Sequence, residues 1–141
     1  MEHLYIGSRD AAINLELLKE KKITHILIVA KYVYPTYPDL FKYKAIPAQD
    51  LPTFDLYRYF KDAIDFIHMG RCNGNVLVHC MAGVSRSSSI IIAYVMNKKE
   101  LSFSDALTYV SGKHYCTSPN PGFISQLKKY DKELQSRPKK E

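Results

Sequence analysis

Apolar residues along this chain fall into two kinds of group that alternate: short runs rich in β-branched and aromatic residues, and longer stretches in which they recur every three or four positions. The short runs, at residues 4–6, 26–29, 43–47 and 76–78, predict strands, and the second of them is apolar throughout, as a strand covered on both faces must be. The periodic stretches predict helices. Residues 10–20 place Ile13, Leu17 and Leu18 on one face, and a longer helix follows Asp55, in which Leu56, Phe60, Ala63, Ile64 and Ile67 recur. Residues 86–97 are apolar on nearly all sides from Ile90 onward, so that helix is expected to run through the core, with Lys98 and Lys99 suiting its C-terminal dipole. Residues 102–111 carry the stripe Phe103, Ala106, Leu107 and Val110. Ser102 with Asp105 resembles a capping box, and Gly112 is expected to stop the helix. A last helix is expected to begin with Asn120 as cap and Pro121 as first residue, with Phe123, Ile124, Leu127 and Tyr130 facing inward.

Strands alternating with helices predict an α/β fold: a central, mostly parallel sheet of about five strands flanked by helices, with ligands at the C-terminal ends of the strands. At 141 residues, 46% of them hydrophobic, the chain suits a single core. Residues 1–134 are read as one catalytic domain and residues 135–141 as a basic, frayed tail. Two segments stay open. Residues 31–41, KYVYPTYPDLF, are either a turn whose tyrosines cover the core edge or a wall of a substrate cleft. The loop at residues 47–55 holds two carboxylates, Asp50 and Asp55; Asp55, directly before a periodic stretch, is expected to cap that helix, and Asp50 has no such duty.

Charge and cysteine usage narrow the class. Half of the net charge of +6 lies in the last 16 residues, where six Lys/Arg meet three Asp/Glu, which reads as a solvated helix face and tail; neither a nucleic acid nor a membrane is an expected partner. No apolar run approaches 18 residues, Met1 opens no charged-then-apolar leader, and three cysteines without paired spacing suit a reducing compartment, so a cytoplasmic or nuclear setting is expected. The five histidines show no metal-ligand spacing, so neither metal nor other cofactor is expected.

The chemistry concentrates at residues 76–89, VLVHCMAGVSRSSS, where a strand ends in His79 and Cys80, Arg86 follows, and an apolar helix begins. A tight loop between strand and helix turns backbone N–H groups inward at a helix N-terminus, where the dipole adds roughly half a positive charge, and so forms an anion site between a central strand and a buried helix. Gly83 permits the backbone such a cradle needs, and Arg86 offers a planar fork of donors to two phosphate oxygens. An ordinary cysteine thiol is only a few per cent thiolate near neutral pH; inward amides, a helix N-terminus and a guanidinium all favour the anion. The field that binds a phosphate would therefore also ionise Cys80 at its mouth.

The segment HCMAGVSRS matches the His-Cys-x5-Arg-Ser/Thr motif of cysteine-dependent protein tyrosine phosphatases, and the chain from LYIGS to SPNPGFISQL resembles a small, atypical dual-specificity phosphatase. The resemblance implies a phosphocysteine mechanism. Cys80 would attack phosphorus while Arg86 and the amides of Met81, Ala82, Gly83, Val84, Ser85 and Arg86 hold the equatorial oxygens. Asp50 falls where such enzymes carry their general acid, with Asp55 as the lesser candidate. By the same resemblance Ser87 eases loss of the thiolate in the second step, or else merely caps the helix start; Asn120 braces the active-site loop, or else only caps the last helix. His79 is read as a buried hydrogen-bonding brace. Cys72 and Cys116 are either partners for an oxidised Cys80 or ordinary cysteines too far away to pair.

Substrate class follows less directly. Met81, Ala82, Val84 and Ser85 include no lysine or histidine, which argues against polyanions and for protein phosphomonoesters. The chain has little material to build a deep slot, and by resemblance a shallow pocket admits phosphoserine and phosphothreonine besides phosphotyrosine, with kinase activation loops as substrates. Two other readings are a phosphatase for a lipid, glycan or RNA-end phosphate, and a pseudophosphatase that binds phosphoproteins without turnover.

Overall fold

The structure, a computed structural model, describes residues 1–137. Four strands, β1 (Leu4–Gly7), β2 (Ile23–Val29), β3 (Lys42–Ile46) and β4 (Asn75–His79), form one wholly parallel sheet in the order β1-β4-β2-β3. Among the described residues there is no fifth strand, so the sheet is one strand smaller than expected. The centre of the sheet belongs to β2 and β4, the two most apolar runs, because only they are covered from both sides. Alternation along them sorts the core into two layers. Leu27, Val29, Val76 and Val78 face α3 (Phe60–Asn73), α4 (Arg86–Lys99), α5 (Phe103–Lys113) and α6 (Pro121–Gln135). Ile26, Ile28 and Leu77 face Ala12 of α1 (Arg9–Ile13) and Leu18 of α2 (Leu15–Glu20).

Helix α4 is the axis of the larger layer. Every residue from Ser87 to Met96 is buried, and α4 packs against α3, α5, α6 and the sheet, as its all-round apolar surface requires. Its caps match its surroundings: Glu100 closes it in the left-handed region at φ 54, its N–H bonding Met96 O.

Three local expectations are corrected. Residues 10–20 are two helices, because Asn14 leaves the helical region (φ −87, ψ 92) and its Oδ1 accepts from Leu17 N at 3.1 Å, starting α2 afresh. The break turns Ile13 outward, and Ala12 is buried in its place. Gly112 does not stop α5, which continues to Lys113; open space surrounds Gly112, and nothing demands a turn there. Asp55 does cap, but it caps the 3₁₀ turn Tyr57–Tyr59 that leads into α3, accepting from Arg58 N at 3.3 Å.

The tyrosine-rich segment covers the core edge in part. Tyr37 fastens it to the core: its hydroxyl donates to Ile13 O at 2.6 Å and its ring packs edge-on against Phe41. Tyr32 and Tyr34 stand in solvent. Of the tail, Gln135 is the last residue of α6, and residues 138–141 lie outside the described residues.

Candidate active site

Cys80 follows the last residue of β4, at the C-terminal edge of the sheet, and α4 begins six residues later at Arg86. The residue is buried, only 2% exposed. Gly83 N donates to Cys80 Sγ at 3.2 Å, and Ser87 Oγ lies 3.2 Å from the same sulfur. The backbone N–H of Gly83 and the hydroxyl of Ser87 thus both meet the sulfur.

The loop is held open by its carbonyls. Met81 O accepts from Arg9 N at 3.0 Å, Gly83 O from His114 Nε2 at 2.7 Å, and Val84 O from Ser118 N at 2.9 Å. The peptides of this loop are trans, so each carbonyl pulled outward turns the next N–H the opposite way. The N–H groups of Ala82, Val84 and Ser85 therefore face the interior of the loop beside Gly83 N, and together they make a cradle for oxyanion oxygens. Gly83 serves twice: its φ is +73, and a Cβ there would come within 2.8 Å of Gly7 O at the end of β1.

Arg86 is half-buried, and its Nη1 donates to Ala48 O at 3.1 Å. That contact ties the guanidinium to the chain leaving β3 and leaves its other donors for a ligand. His79 is buried, and since a carbonyl only accepts, its Nδ1–H donates to Cys80 O at 3.1 Å. Burial chiefly, with the nearby positive charge of Arg9, pushes the His79 pKa down, against the smaller opposing effect of that hydrogen bond. His79 is therefore a neutral brace on the backbone of Cys80.

Asn120 joins three parts of the site. Its Oδ1 accepts from Phe123 N at 2.9 Å, capping α6; its main-chain N donates to Ser85 Oγ at 3.0 Å; and its Nδ2 donates to Asp50 Oδ1 at 3.0 Å. Capping alone thus understates Asn120. Asp50 is exposed and linked to the loop through Asn120, whose main-chain N meets Ser85, whereas Asp55 accepts from Arg58 N. Ser87 caps nothing; it is fully buried with its hydroxyl at the sulfur.

The structure adds residues that sequence reasoning passed over: His114 on Gly83 O, and Ala48, whose carbonyl receives Arg86. His114 was weighed only as a metal ligand, and no local pattern marks a histidine that reaches a carbonyl 31 positions away. Cys116 Sγ also touches His114 Nε2, at 3.1 Å, so Cys116 lies near the loop. Cys72 lies near the end of α3, before β4 begins, and so at the opposite edge of the sheet from Cys80. Among the described residues no three His, Cys, Asp or Glu side chains gather to hold a metal ion.

Comparison with known proteins identifies the family. The profile of the dual-specificity phosphatase catalytic domain matches residues 4–133. The chain is 44% identical over 133 residues to dual specificity protein phosphatase 1B of Arabidopsis thaliana, covering 94% of this chain and 80% of that one. It is 45% identical over 134 residues to MAP kinase phosphatase with leucine-rich repeats protein 1 of Dictyostelium discoideum, covering 95% of this chain and spanning only 16% of that protein's length. Human DUSP28 superposes with a TM-score of 0.91 at 30% identity over 96% of each chain. A human tyrosine phosphatase-like serine/threonine/tyrosine-interacting protein superposes at 0.90 with 33% identity, covering 96% of this chain and 95% of that one.

Proposed function

The chain belongs to the dual-specificity phosphatase family, and from that premise we propose that it hydrolyses phosphotyrosine and phosphoserine or phosphothreonine in proteins, without a metal ion, through a phosphocysteine. The observation that carries this reading is the loop whose carbonyls are tethered outward while Gly83 N and the Ser87 hydroxyl meet the Cys80 sulfur. In the first step the thiolate of Cys80 forms the S–P bond as the P–O bond to the leaving group breaks, and Asp50 gives its proton to the departing oxygen. The inward N–H groups and Arg86 stabilise the charge on the three equatorial oxygens, which no longer need water to do so. In the second step the Asp50 carboxylate takes a proton from water, the water oxygen bonds phosphorus, and the S–P bond breaks. Ser87 O–H then donates to the returning thiolate, and inorganic phosphate leaves.

A reading as a binding module alone is not favoured, since Cys80, Arg86, Ser87 and Asp50 are all present in the sequence. Within the loop itself Met81 and Ala82 are exposed and uncharged, so the loop offers a polyanionic lipid or RNA end no charge beyond Arg86. Two relatives from Dictyostelium discoideum are named MAP kinase phosphatases, and phosphorylated kinase activation loops are the substrates we propose by family resemblance. A reducing cytoplasm or nucleus is the setting that keeps such a thiolate active.

The test is hydrolysis of a small aryl phosphate and of matched phosphotyrosine and phosphothreonine peptides, with EDTA and a thiol reductant present. Turnover of all three, lost in Cys80→Ser, is expected. Activity that EDTA abolished and a divalent ion restored would overturn the mechanism, and a kcat/KM ratio between the peptides beyond about 10⁴ would limit the enzyme to one residue type.

A further inference from the structure

The chain leaving β2 brings a second feature to the mouth of the site. Ile28 pairs with His79, so the residues that follow β2 emerge one strand spacing, about 4.8 Å, from those that follow β4. Lys31 N donates to Ala48 O at 2.8 Å, the same oxygen that receives Arg86 Nη1 at 3.1 Å. The backbone of Lys31 is thereby pinned beside the guanidinium. Its side chain is exposed, joins no ion pair among the described residues, and holds its Nζ 5.0 Å from the centre of the Tyr32 ring.

Tyr32 is 75% exposed yet has φ 64, a left-handed conformation that a residue with a Cβ avoids. The other non-glycine residues in that region, His3, Lys22 and Glu100, flank the ends of strands or helices. No core packing offsets the strain at Tyr32, and strain that persists at an exposed position beside a reactive site points to recognition.

We propose that Lys31, braced on Tyr32, receives an anionic side chain, carboxylate or second phosphate, that neighbours the phosphorylated residue of the substrate. The inference rests on the phosphatase reading above and narrows it to substrates with acidic or doubly phosphorylated surroundings. A neighbouring side chain in an extended peptide lies about 3 to 7 Å along the backbone, within reach of a lysine whose own backbone adjoins Arg86.

The experiment uses phosphotyrosine peptides identical except for Gln, Glu or phosphothreonine at each position from two before to two after the tyrosine. Two quantities are read: kcat/KM for the wild-type chain, and the Kd of the same peptides for Cys80→Ser protein, which needs no turnover. At one or more positions Glu should exceed Gln by about three-fold and phosphothreonine should exceed it by more, both advantages shrinking at high salt. Lys31→Ala should erase the preference and Lys31→Glu reverse it, while hydrolysis of a small aryl phosphate stays within about two-fold of wild type. A preference absent at every position, or one that survives Lys31→Ala, would overturn the proposal. Loss of hydrolysis with a Lys31-dependent preference retained in Kd would count against the enzyme reading and for this one.

Discussion

Replacing His114 by leucine tests whether the outward tethers shape the catalytic loop. The substitution keeps much of the side-chain volume and removes the one strong donor to Gly83 O, leaving Ser88 Oγ at 3.4 Å as a poor substitute. A buried acceptor left short of its partner costs about 1–3 kcal/mol, or roughly 5- to 150-fold in an equilibrium. The loop can recover part of this by rotating the peptide between Gly83 and Val84, which would turn Val84 N–H away from the cradle. We therefore expect kcat/KM for a small aryl phosphate to fall about ten-fold or more, and inhibition by vanadate to weaken by a similar factor, because both depend on the inward amides. His114→Gln, whose amide can donate to the same oxygen, should recover most of both. A correctly folded His114→Leu protein with kcat/KM and vanadate inhibition each within two-fold of wild type would refute the tether argument.

Asp50→Asn should lower turnover by about 10² on substrates with poor leaving groups and by much less on activated aryl esters, read as the slope of log kcat/KM against leaving-group pKa; an unchanged slope would remove Asp50 as the acid. Gly83→Ala should destabilise and largely inactivate the protein, since it strains φ +73 and drives a Cβ against Gly7 O; wild-type activity and Tm would contradict the close approach. Stability should rise with pH up to about 6.5 and level off above. His79 and His25 have folded pKa values lowered chiefly by burial, with lesser contributions from Arg9 and Lys42, so below their unfolded pKa the unfolded chain binds more protons and folding weakens. Urea titrations across that range would show it, and a fall in stability on going from pH 5 to pH 6.5 would contradict it.

What the sequence disclosed and what it hid divide along the range of the interactions. The two central strands were legible because only a strand covered on both faces is apolar throughout, and the start of α6 was legible because Asn120 and Pro121 act within one turn of their own positions. Asn14 was hidden because a polar residue inside a periodic stretch reads as one face of a helix, although its side chain ends one helix and begins another. The loop at residues 80–86 shows its glycine and arginine, but its tethers come from Arg9, His114 and Ser118, each placed by packing of another element. Asp50 and Asn120 are 70 positions apart, so their hydrogen bond exists only once α6 docks beside the catalytic loop.

The central claim is that Cys80 itself takes the phosphoryl group. Rapid mixing of enzyme with labelled substrate, followed by acid quenching and peptide mapping, reads this directly, and Asp50→Asn should prolong the intermediate by slowing its hydrolysis. The account predicts label on the peptide containing Cys80, no label in Cys80→Ser, and formation unaffected by EDTA. Label on any other residue, or steady turnover through which no covalent phosphoenzyme forms, would contradict it.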